Sequence, residues 1–148
     1  TPSDGNLGTA VQPELPPVEA AVAMAFDTLD LLQRRAAEVA EGFRWHHVEE
    51  ANTGLGELVQ STQMLLRLAM ATANATGADL TALCAADGVR VDEETRAAVD
   101  QLISRQFAED WLGVADTIDE NFAPALAQWR VVFEALGESP DDPGGRAA

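Results

Sequence analysis

Val18, Val22, Phe26, Leu29, Leu32, Ala36 and Val39 follow one another at intervals of three or four residues. That spacing lays them along one stripe of a 3.6-residue helix, and a stripe of this length must find a partner surface to leave water. Comparable stripes recur three times downstream, with no strand-like alternation between them. The expected fold is therefore all-α: an up-and-down bundle of four long helices, with a short helix in the second connection. A chain of 148 residues with 47% hydrophobic content suffices for one core without help from a metal or a disulfide.

The first helix is expected from Val18 to Glu41, with Gly42 as its stop, and the second from Trp45 to Ala75, ending at Thr76-Gly77. The second stripe is Val48, Ala51, Leu55, Leu58, Thr62, Leu65, Ala69 and Thr72. Gly54 and Gly56 lie within it at a cost of about 1 kcal/mol each relative to alanine, so they mark a bend or a close helix crossing. Leu80, Leu83 and Cys84 suggest a short helix after Asp79, before a turn at Asp87-Gly88. Asp92 reads as the N-cap of a third helix, with Glu93 and Glu94 where the helix dipole favours acids. Its inward residues are expected to be Val99, Leu102, Ile103 and Phe107.

Asp110 is the expected cap of the fourth helix. Its stripe is Trp111, Val114, Ala115, Ile118, Phe122, Ala125, Leu126, Trp129, Val132, Phe133 and Leu136, and it keeps phase through Pro124. A proline there removes the bond to Glu120 and strains the helix by ~3 kcal/mol, leaving it kinked or broken. The unbroken phase favours the kink. Residues 1–17 and 137–148 are rich in proline and glycine and read as tails around a single domain, 18–136, with Gly137 as the C-terminal cap.

Charge excludes more than it identifies. Twenty-five acids against nine bases give a net charge of −16, which repels phosphate backbones and anionic lipids. No apolar run approaches the ~20 residues a membrane helix needs. The expected partner is a protein, or a second copy of the chain, with no nucleic acid and no membrane. The basic residues are all arginine, and lysine and tyrosine are absent, a bias typical of GC-rich bacterial genomes. The single cysteine, Cys84, fits a reducing, cytoplasmic setting, and a start at Thr1 is also compatible with a removed signal peptide.

No phosphate-cradling glycine loop, nucleophile motif or metal-ligand spacing stands out, so the reading leans away from an enzyme and implies no cofactor. His46, His47, Glu49 and Glu50 are the densest group of potential ligands. A di-iron bundle needs Glu-x-x-His twice with two more inward glutamates, whereas here the order is reversed and occurs once. A solvated helix start explains the group. A metal or small-molecule site on His46, His47 and Glu50 is the alternative. Trp45, Trp111 and Trp129 fit core packing first, yet aromatics also dominate interface hot spots. Gln60 to Gln63 give the second helix an uncharged polar patch. Trp45, Gln60, Gln63, Trp111 and Trp129 are therefore the candidate partner-binding residues, and an apolar helix groove the candidate surface.

The segments Phe26 to Arg35 (FDTLDLLQRR), Val48 to Ala51 (VEEA), Val99 to Arg105 (VDQLISR) and Asp110 to Ala135, with its Ala127-Gln128-Trp129, together resemble the small acidic flagellin-export chaperones in helix order. The resemblance implies a non-catalytic activity, in which an apolar groove holds a partner's helices and prevents early assembly. Three features depart from that family: the lack of the tyrosine of its N-terminal segment, the long stretch from Gly77 to Val91, and Pro124.

Overall fold

The computed structural model describes residues 17–85 and 90–138. Among them every regular element is helical: α1 (Val18–Arg44), α2 (Val48–Thr76), a short α3 (Leu80–Cys84), α4 (Val91–Phe107), α5 (Trp111–Thr117) and α6 (Ala123–Glu138), with a π-helical turn (Ile118–Phe122) joining the last two. The chain is an all-α bundle of four long helices, α5, the π turn and α6 together forming the fourth. Neighbours run antiparallel. Gly42 and Gly54 of the paired helices α1 and α2 face Ala51 and Val39, Phe43 meets Trp111, and Trp129 meets Thr95.

The apolar stripes decide this packing. Val22, Leu29, Leu32, Ala36 and Val39 of α1 are buried, as are Ala51, Leu55, Leu58, Thr62, Leu65, Ala69 and Thr72 of α2. Helix α1 is the middle element, packed along α2 on one side and along α5, the π turn and α6 on the other, while α4 covers α5 and α6. Phe43 stacks on Trp111 with ring centroids 5.3 Å apart. Deeper in, Trp129 donates its indole N–H to the Thr95 hydroxyl at 2.7 Å, and that hydroxyl donates to the Val91 carbonyl.

Glycine acts at one close crossing. A Cβ on Gly54 would lie 2.7 Å from Cγ2 of Val39, and one on Gly42 would lie 3.2 Å from Cβ of Ala51. Gly56 faces open space. Of the two glycines noted in the second stripe, Gly54 thus serves the crossing and Gly56 does not.

The fourth helix keeps its phase past Pro124. The amide of Ala123 reaches back five residues to the carbonyl of Ile118, so the turn before the proline widens and the ring finds room without breaking the path. Asp110 caps α5 by accepting from the Gly113 amide at 3.0 Å, and Asp79 caps α3 by accepting from Ala82.

Several boundaries differ from the sequence expectation. Gly42 does not stop α1, which runs to Arg44, and α2 begins at Val48 rather than Trp45. The stop is a Schellman motif built on His46, whose φ is 64°, with His46 N–H donating to Phe43 and His47 N–H to Gly42. A second such motif ends α4 on Glu109, φ 58°. Asp92 is not the N-cap of α4. Arg90 occupies that position and clamps the Asp92 carboxylate with two hydrogen bonds, 3.1 and 2.9 Å. The inner face of α4 is Val91, Thr95, Ala98 and Leu102, while Ile103 and Phe107 point outward. Gly137 lies inside α6 rather than capping it. The expected turn at Asp87-Gly88 and most of both expected tails lie outside the described residues.

Two sets of variants test this packing. Thr95→Val keeps the volume but strands the Trp129 N–H, and should cost about 1–3 kcal/mol in urea unfolding at unchanged m-value. Gly56→Ala should raise stability by up to ~1 kcal/mol through helix propensity. Gly54→Ala should lower it despite the same propensity gain, because Val39 is stiff at χ1, and adding Val39→Ala should recover part of the loss.

Candidate functional site

The crossing of α1 over α2 leaves a trough on the side away from α5 and α6, with a volume of about 830 Å³. Its floor is made by small and aliphatic residues, Leu32, Val39, Ala51, Gly54 and Leu58. Leu31 stands on its wall at 43% exposure, and Trp45 closes one end at 68%. Both are large apolar side chains held in water. Trp45 takes this position because it is the C-cap of α1, immediately before the left-handed His46, so the chain turns and leaves the indole outside the core.

The exposed apolar surface extends past the trough. Met24 lies seven residues before Leu31 on α1, and Met64 lies seven residues after the wall residue Glu57 on α2. Residues seven apart in a helix return to nearly the same face. Met24 is 53% exposed and Met64 61%.

The rim is acidic. Glu38, Glu41, Glu50 and Glu57 line it, against Arg35 and His47. Arg35 reaches across the mouth from α1 to Glu57 on α2 at 3.2 Å, with both side chains about half exposed. An exposed pair of this kind contributes only ~0.2–1 kcal/mol, so it ties the walls weakly.

The candidate residues fall into three environments. Trp45 and Gln60 line the trough, and His47 and Glu50 line it beside Trp45. Gln63 is exposed on α2 without lining the trough. Trp111 is half-buried and committed to its stack on Phe43. Trp129 is fully buried and spends its N–H on Thr95, so it is a core residue with no surface for a partner. His46, His47 and Glu50 are all exposed. They meet no carboxylate from a neighbouring helix: among the described residues, no three His, Cys, Asp or Glu side chains gather closely enough to hold a metal ion. Leu31, Met24 and Met64 were missed because they lie off the main stripes. Their signal was the seven-residue interval from Met24 to Leu31, repeated twice over from Leu31 to Trp45.

Elsewhere the ionisable groups serve the scaffold. Arg44 donates to the carboxylates of Asp119 and Asp116, at 2.7 and 3.0 Å, which raises its pKa and ties the end of α1 to α5 and the π turn. The Arg90 clamp holds the Asp92 carboxyl below its usual range. Burial pushes the Cys84 thiol up, with the nearby Asp92 charge adding to it. Among the described residues, no helix is long and apolar enough to cross a membrane.

Compared with known proteins, the chain matches no family model, no curated protein and no solved structure. The trough must therefore be read from its own chemistry.

The raised Cys84 thiol has a stability consequence of definite sign. Above about pH 8.5 the unfolded chain loses the thiol proton while the folded chain keeps it, so stability falls as pH rises. Thermal melts of the wild type should lose midpoint between pH 8 and 10, and Cys84→Ala should flatten that slope. Under native conditions a thiol reagent should modify Cys84 far more slowly than in denaturant.

Proposed function

We propose that this chain is a non-catalytic, acidic helical bundle that binds a segment of another protein in the groove between α1 and α2, in the manner of a chaperone or adaptor. The observation that carries this reading is the exposure of Trp45 at the end of an apolar trough. Tryptophan is the side chain most enriched at interface hot spots, and a soluble surface rarely leaves one free beside a concave apolar wall without use. The resemblance in helix order to the flagellin-export chaperones supports the same kind of activity, since those proteins work by occupying partner helices.

An uncharged solvatochromic dye such as Nile red, used with light scattering after size exclusion, tests the groove. The wild type should be monomeric and should shift the dye's emission to the blue. Leu31→Ser and Trp45→Ser should each reduce that signal severalfold while circular dichroism stays unchanged. A monomer that leaves the dye in water, or a dye signal indifferent to both substitutions, would overturn the reading.

A further inference from the structure

We propose that the occupant of the groove is a single amphipathic helix of about six turns from another protein, with lysine or arginine on both flanks of its apolar stripe. This deepens the groove reading and depends on it. Three observations identify the occupant.

The first is length. Met24 and Leu31 of α1 and Trp45 at its C-cap form one row at intervals of seven and fourteen residues, with the rim residue Glu38 at the heptad position between the last two. At 1.5 Å per residue this row spans roughly 30 Å, which is the length of a helix of about twenty residues. The seven-residue interval is that of knobs packing between two helices, so an incoming helix with apolar residues at these intervals would meet Met24, Leu31 and Trp45, and would set a basic residue opposite Glu38. Met24 and Met64 supply unbranched side chains that adapt to such knobs.

The second is charge. Four glutamates, Glu38, Glu41, Glu50 and Glu57, stand on the rim against the single arginine Arg35. A helix lying in the trough would present its flanks to these carboxylates, and lysine or arginine there would complement them. The whole molecule has the same sign, with a net charge of −16. A second copy would bring like charge to the same rim, which disfavours self-association as the occupant.

The third is the ease of opening. The Arg35–Glu57 pair that spans the mouth is exposed on both sides. An incoming cation can take Glu57 from Arg35 with little loss.

Two designed peptides of twenty-one residues separate the possibilities. Both carry leucine at heptad spacing; one has lysine and arginine on its flanks, the other glutamate. Fluorescence anisotropy of the labelled peptides against the full chain should give at least tenfold tighter binding for the basic peptide at 50 mM salt, with the ratio shrinking at 500 mM. Trp45→Ser and Leu31→Ser should weaken the basic peptide tenfold or more. Phe107→Ser, exposed but outside the groove, should leave binding unchanged. The double variant Glu38→Gln, Glu50→Gln touches only exposed side chains and should weaken the basic peptide severalfold with the fold intact. Equal binding of the two peptides, or none of the basic one, would overturn the inference. If Nile red still reports the groove in that case, the groove reading stands and only the occupant is wrong. If the dye is excluded as well, both fall. A dimer dissolved by Trp45→Ser would make a second copy the occupant and overturn the inference directly.

Discussion

Helices α1 and α2 come together where Gly42 meets Ala51 and Gly54 meets Val39, and the rest of the molecule is arranged around that contact. Two helix backbones approach closely only where side chains are absent or very small. Here the absence has two consequences. It lets Val39 and Leu58 bury against the opposite helix, and it leaves a strip with nothing to fill the space above it. The trough is the outer side of the same contact. Its floor side chains, Leu32, Val39, Ala51 and Leu58, are already buried by the helices themselves, so the apolar surface still in water is concentrated on a few projecting side chains, Leu31 and Trp45 above all.

The other side of α1 needs a long, uninterrupted partner, and Pro124 threatens that continuity. An α-helical turn would place the proline ring against the carbonyl of Glu120. The π turn from Ile118 to Phe122 widens the path just before the ring, and Ile118, Phe122, Ala125 and Leu126 all remain buried. Asp116 at the end of α5 and Asp119 in the π turn both meet Arg44, joining the widened turn to the end of α1 close to Trp45. Rigidity at this end matters because the stacked Phe43 and Trp111 lie just inside the exposed indole. One aromatic of the pair closes the core, and Trp45, two residues after Phe43, remains outside it.

The stripes made the fold legible, because burial of α1, α2 and the fourth helix follows large apolar residues at helical spacing almost without exception. The helix ends were not legible in the same way. Gly42 has the composition of a stop and the function of a close contact, while the actual stop falls on His46, a residue with a Cβ in the left-handed region. Histidine tolerates that region better than most residues, but composition alone does not show it. In α4, Leu102 is buried and Val99 half-buried as the sequence suggests, but the other two expected inner residues are not. Ile103 and Phe107 lie off its buried face, where Thr95 takes an inner position and receives the Trp129 N–H. A hydrogen bond between two helices leaves no trace in the periodicity of either. The groove was hidden for a similar reason: its walls come from the outer faces of two helices, and its end from a residue that looked like the start of α2.

The acidity of the chain belongs to this same geometry. The described ion pairs are at most partly buried, and several arginines are engaged with acids of the scaffold: Arg44 with Asp116 and Asp119, Arg90 with Asp92 and Glu93, Arg105 with Asp110, and Arg130 with Asp30. Arginine spent this way holds helix ends and crossings, and it leaves the acids of the α1–α2 rim facing a single Arg35. At physiological salt the Debye length is about 8 Å, so distant charges on the far side of the bundle are screened while the rim carboxylates act at contact range. In the proposed binding reaction the long-range field and the local rim would serve different steps. A field of this sign favours encounter with a cationic segment and opposes the approach of a second copy. In the proposed complex, the rim and the Met24–Leu31–Trp45 row would select which of those encounters lasts, because a helix that carries both basic flanks and a matching apolar stripe meets the two together.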